Sequence, residues 1–146
     1  MMKRMHTTMG ALLGGLALVG ALAQPATAAA VDGKAKMVIQ VSDNDPAKWN
    51  LALNNAKNIQ KDLGKDKVDL EIVAYGPGIG MLKAESEVAN RIQEAVDSGV
   101  QVVACENTMR AQKLSKGDMN GTIGYVNAGV VEIMQKQQQG YTYLRP

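Results

Sequence analysis

The sequence predicts an α/β protein built on a largely parallel sheet covered by helices on both faces. Three observations carry this. Short apolar, β-branched runs alternate with stretches of helical periodicity in the order βαβαβαβαβ within one small domain. Pro46, Gly64, Gly99 and Gly140 fall at the joints between these runs, as starters and stoppers of helices do. The run Val100 to Cys105 is almost continuously apolar, the pattern of a strand buried on both faces.

The elements follow in order. Residues 31–35 are a polar lead-in, and Lys36 to Ser42 is the first strand. Asp43-Asn44-Asp45-Pro46 is a turn in which Asp45 caps a helix. From Ala47 to Leu63 the apolar positions Trp49, Ala52, Leu53, Ala56, Ile59 and Leu63 form one stripe facing a sheet. Val68 to Tyr75 is the second strand, with Asp69 and Glu71 expected to point outward. The glycine loop 76–80 leads to a helical stretch expected from Met81 to Ser98. Val100 to Cys105 is the third strand, followed by a short helix from Asn107 to Leu114 capped by Asn107 or Thr108. Thr122 to Val126 is the fourth strand. Asn127 is expected to cap a last helix, Ala128 to Gln139, with Val130, Val131, Ile133 and Met134 on its apolar face. Tyr141 to Leu144 ends the chain as a fifth strand.

Residues 1–30 read as a cleavable leader rather than part of the fold. Lys3 and Arg4 precede an apolar stretch, Gly10 to Ala23, too short to span a bilayer comfortably. Pro25 breaks it, and Ala26 to Ala30 offers small residues to a signal peptidase. An uncleaved anchor is the alternative. Cleavage leaves residues 31–146 as a single exported domain, periplasmic in a Gram-negative source, with no further membrane contact. Two of the 16 basic residues leave with the leader and none of the 14 acidic ones, so the remainder is neutral. No basic excess is left for a nucleic-acid partner. His6 leaves too, which excludes Ser-His and Cys-His catalysis and the usual zinc and copper sets. No metal and no cofactor are expected. With no phenylalanine, the core rests on Val, Ile, Leu, Met and Ala, and so small a domain gains from oligomerisation.

The loop Gly76-Pro77-Gly78-Ile79-Gly80 is not a nucleotide site. A P-loop needs Lys and Ser/Thr straight after its last glycine, and Met81-Leu82 stand there. The dinucleotide fingerprint needs glycine at 81 and follows a first strand. These glycines read as a tight strand exit. Asp43 and Asp45 fail as a receiver-type acidic cluster, because Cys105 occupies the place of the phosphoacceptor carboxylate. Hydrolase and nucleotide-dependent chemistry are therefore not expected.

Cys105 is the only cysteine, so an internal disulfide is impossible. It ends a strand and precedes a helix N-terminus, where free N–H groups favour a thiolate. Arg110 and Lys113 add to this, and Glu106 opposes it. The plain alternative is a small buried hydrophobe. Ser42, Asn44, Tyr75, Gly76, Gly78, Asn107 and Thr108 lie at the carboxyl ends of strands or just beyond. These are the candidate pocket residues around Cys105, following the rule that open α/β sheets bind ligands there.

The segments Ala104-Cys105-Glu106-Asn107-Thr108-Met109, Val126 to Ile133 and Gln139 to Pro146 resemble the DsrE/DsrF-like family, in its branch of small, mostly uncharacterised proteins. The likeness extends back through Trp49 to Asn55 and Ile72 to Gly78 and covers nearly the whole domain. It implies a three-layer α/β/α sandwich of the DsrE/YchN type, in the flavodoxin-like class, with a mainly parallel five-stranded sheet. It also implies trimers or hexamers, and sulfur carriage as a cysteine persulfide at the position of Cys105. The implied partners are a sulfur donor or acceptor protein or a small thiol. Two departures stand out: Glu106 replaces a glycine common in this branch, and an exported chain does not meet cytoplasmic relay partners. The rival reading is a non-enzymatic oligomeric binding or structural module with an inert Cys105.

Overall fold

Five parallel strands form the sheet of the computed structural model, which describes residues 33–146. The expected leader, residues 1–30, lies outside the described residues. The strands are β1 (Ala35–Val41), β2 (Val68–Ala74), β3 (Gln101–Cys105), β4 (Gly124–Val126) and β5 (Thr142–Leu144), in the spatial order β4-β3-β2-β1-β5. The helices are α1 (Pro46–Leu63), α2 (Ala89–Asp97), α3 (Glu106–Ala111) and α4 (Gly129–Gln138). Among the described residues no helix is long and apolar enough to cross a membrane.

The strand order dictates the layers. The chain steps from β1 to β4 in one direction, then returns to lay β5 beside β1. Crossovers of constant hand put the helices of the outward steps on one face and the return helix on the other. Accordingly α1 and α2 pack together on one face, and α4 packs on β1, β2 and β5 from the other. Side chains alternate along each strand. Ile39, Val41, Leu70, Ile72, Ala74, Val102 and Ala104 join the main core under α1 and α2. Val38, Val73 and Ile133 form a much smaller cluster under α4.

Helix α1 starts as its sequence requires. The Asp45 carboxylate accepts from the Ala47 N–H at 2.9 Å, and Pro46 takes the first turn. Trp49, Ala52, Leu53 and Ala56 are buried as expected. Leu63 is exposed, and Gln60 is buried in the last turn instead. Its side chain is fully occupied there: Nε2 donates to the Ser98 carbonyl at 2.8 Å, and Oε1 accepts from the Ser98 hydroxyl at 2.9 Å.

Four local expectations are corrected. The stretch from Met81 to Ser98 is not one helix. Gly76–Leu82 is 3-10, and α2 begins only at Ala89. Between them the chain pairs with residues 118–120: Ala84 N–H donates to Asp118 and Asn120 N–H donates to Leu82, with Lys83 bridged to Met119. Tertiary pairing thus overrides helical periodicity. Strand β3 is not covered on both faces along its length: on the α4 face Gln101 is exposed and Val103 half-buried, and only Cys105 is buried. On α4, Val130, Val131 and Met134 are exposed, and only Gly129 and Ile133 are buried. Glu71, expected to point outward, is 2% exposed on the α4 face.

Candidate functional site: the carboxyl end of strand β3

Cys105 ends β3 and is itself the cap of α3. Its sulfur accepts from the Thr108 N–H at 3.4 Å, a role usually held by Ser, Thr, Asp or Asn. Asn107 and Thr108, expected as caps, lie inside the helix. Thr108 contributes a second group. Its hydroxyl oxygen accepts from the Gly76 N–H at 2.9 Å, which leaves the hydroxyl proton free to point at the sulfur. Gly76 makes this turn at φ +53°, a conformation that favours glycine.

The start of α4 closes the other side. β3 and β4 are in register with Cys105 opposite Val126, so the loop after β4 arrives at the cysteine. The Asn107 N–H donates to the Asn127 carbonyl at 3.0 Å. Asn127 does not cap α4 as expected; its side chain accepts from Arg110 at 3.4 Å, and Ala128 holds the cap position without a side-chain bond. Arg110 also donates to the Asn107 side chain. Gly129 packs so closely on Tyr75 that an added Cβ would lie 3.0 Å from the Tyr75 Cβ. That contact fixes the start of α4, whose N–H at Gly129 favours the charged form of the thiol.

These groups decide the acidity of Cys105. Burial pushes the thiol pKa up, since only 4% of the residue is exposed. Hydrogen bonds from the Thr108 side chain and from the N–H groups of Gly129, Thr108 and Asn107 outweigh it, and the thiol lies below its ordinary value. The Asn107 N–H contributes least, being committed to Asn127. Arg110 and Glu106, expected to bear on the sulfur, have partners of their own. Arg110 is held by two asparagines, and Glu106 lies 3.8 Å from Lys116.

The expected pocket residues divide into two groups. Tyr75, Gly76, Asn107 and Thr108 gather at Cys105. Ser42, Asn44 and Gly78 do not. Ser42 accepts from Gln40 at 3.1 Å on β1. Asn44 lies in a groove with Trp49, Gly80 and Ser86. Gly78 lets the chain pass β1, since an added Cβ would sit 2.3 Å from the Val41 carbonyl oxygen. Gly129 and Asn127 were missed. Their only sequence signal is the turn chemistry of Asn127-Ala128-Gly129 after a strand. A cavity of about 820 Å³, lined by Lys34, Lys36, Met37 and Leu63 among others, opens at the opposite end of β1, away from Cys105. Among the described residues no three His, Cys, Asp or Glu side chains gather as metal ligands do.

The chain is thus an all-parallel α/β domain with one buried thiol, hydrogen-bonded by a backbone N–H, at a strand end. The DsrE/DsrF-like family model matches residues 35–146, and the chain belongs to that family. Among solved structures it is similar to MTH1491, a protein of unknown function from Methanobacterium thermoautotrophicum. The identity is 31% and the TM-score 0.74, over 77% of this chain and all of that one. The conserved protein of unknown function BT1422 from Bacteroides thetaiotaomicron gives 16% identity and a TM-score of 0.62, over 76% and 94% of the two chains. The ychN protein of E. coli gives 12% and 0.61, over 78% and 99%. The last two likenesses establish the fold alone. No curated protein matches the chain.

Proposed function

We propose that the protein is an exported sulfur carrier that holds sulfane sulfur as a Cys105 persulfide. The observation that carries this is the hydrogen-bonded sulfur, with N–H groups of two helix starts and the Thr108 hydroxyl turned on it. Such groups stabilise a thiolate and equally a persulfide anion. In the loading step the Cys105 thiolate attacks the outer sulfur of a persulfide or polysulfide donor, R–S–SH. The Sγ–S bond forms, the donor S–S bond breaks, and its electron pair leaves with R–S⁻. Delivery repeats the exchange with an acceptor thiolate. No resolving cysteine is present, so the acceptor is another protein or a small thiol.

Mass spectrometry after polysulfide exposure tests the reading. The expected result is one added sulfur on Cys105, absent in Cys105→Ser. An unmodified chain, under conditions that load a control carrier, sinks the reading. Export belongs to the same proposal, supported by the leader pattern of residues 1–30, and N-terminal sequencing of the secreted form checks it. Assembly into trimers or hexamers is supported by exposed Val130, Val131 and Met134, and light scattering measures it.

One observation favours a rival. Cys105 is buried, with 4% of the residue exposed, as in an inert structural cysteine. That reading requires Cys105→Ser to leave ligand binding unchanged, and requires alkylation to be slow at every pH.

A further inference from the structure

Glu71 is buried in the central strand of the sheet, an expensive place for a carboxylate. Its Oε2 lies 2.6 Å from Lys136 Nζ, and its Oε1 has no hydrogen-bond partner. Lys136 belongs to α4 and is itself mostly covered. Its ammonium also lies 3.4 Å from Gln101 Oε1 on β3, 3.7 Å from Glu132 one turn earlier, and 4.9 Å from the centre of the Tyr141 ring. Lys36 of β1 faces the same ring from 5.7 Å. Asp69, two residues before Glu71 on the same face, is occupied by Lys34 at 3.1 Å. Among the described residues these are the charged and titratable groups around the pair.

The apolar contact beneath α4 is thin. Ile133 meets Val38 and Val73, and little else is buried there. Apolar contact is non-directional and tolerates sliding, whereas an ion pair with one short bond fixes a position. The far end of α4 is Gly129, seated on Tyr75 beside Cys105. A shift of the helix along the sheet would withdraw its first N–H from the sulfur.

We propose that the Glu71–Lys136 pair is a positioning clamp for Cys105: it pins α4 to the central strand and so keeps the helix's first N–H group at the sulfur. Glu71 and Lys136 touch neither sulfur nor donor, and they act through α4 alone. The inference rests on the reading of Cys105 as the reactive group and adds how its acidity is set.

The test measures the rate of Cys105 alkylation by iodoacetamide against pH in the full chain. Because removal of one partner strands the other, the main variant is the double apolar change Glu71→Leu with Lys136→Met, which keeps a packed contact. The expected result is an alkylation midpoint moved to higher pH, with the rate at pH 7 down about two- to threefold. The thermal midpoint is expected to be kept or raised. Lys136→Arg, which can still reach Glu71, is expected to retain the wild-type profile. A folded double variant with an unchanged profile overturns the clamp and leaves the sulfur-carrier reading standing. A wild-type thiol with an ordinary midpoint overturns both. If the double variant fails to fold, Lys136→Gln provides the same readout, with the same two outcomes.

Discussion

The two faces of the sheet are built differently. Under α1 and α2 lies a continuous apolar core, with Ile39, Ile72, Ala74 and Ala104 fully shielded. Under α4 lie three buried apolar residues, a buried carboxylate, a mostly covered lysine and the half-buried Val103. One face holds the fold together. The other leaves room for polar groups, and Cys105 emerges on it, two residues beyond Val103. A reactive thiol needs hydrogen-bond donors around it, and a close-packed apolar core cannot supply them.

The largest expected effect separates the faces by stability. Ile72→Ala should cost about 3–4 kcal/mol, because the sheet centre cannot collapse around the hole. Ile133→Ala should cost about 2 kcal/mol, because α4 can settle into the space. Urea unfolding of both variants measures the difference, and equal losses would erase the distinction drawn between the faces.

Next comes a pH effect confined to the α4 face. Burial raises the Glu71 pKa despite the opposing pull of Lys136, and nearby Glu132 adds to the rise. Lys136 is correspondingly raised by Glu71, against the effect of its own burial. A glutamate that titrates higher in the folded chain than in the unfolded one holds a proton that the unfolded chain has already lost. Its contribution to stability is present at acid pH and falls as pH climbs from the ordinary glutamate range through the raised one. Glu71→Gln has no such proton, so the melting temperature of wild type should fall relative to this variant across that window. A constant difference between the two would show that Glu71 titrates normally.

A smaller effect is local to the sulfur. Thr108→Val removes the hydroxyl held by Gly76 and should slow alkylation at pH 7 about threefold. Unfolding should move by under about 1 kcal/mol, since the site lies at the edge of the core. The smallest effect is expected at Asp69→Asn. It breaks only the exposed pair with Lys34, and neither the melting temperature nor the alkylation profile should change measurably.

Much of this was legible in the chain. Five strand-forming runs, the Asp45-Pro46 helix start and the buried stripe of α1 follow from periodicity and cap chemistry, which are local properties. Cys105 at a strand end was legible for the same reason, and Thr108 and Gly76 were near it in the expected layout. Glu71 was misplaced because alternation marks which residues share a face without saying whether a helix covers that face. The same gap put Val130 and Met134 on an apolar face that turned out to be open. Asn44 and Ser42 were grouped with Cys105 because each follows a strand, yet β1 and β3 are separated by β2.

The sequence by itself determined the alternation of strands and helices, the parallel α/β class and the one thiol available for covalent chemistry. Those depend on hydrophobic period, turn residues and composition, which each segment carries alone. Only the tertiary structure decided that β5 returns beside β1, that α4 therefore crosses the opposite face, and that its start at Gly129 comes to the end of β3 beside Tyr75. Those are contacts between segments distant in the chain. They arise from strand order and crossover hand, which no local pattern encodes.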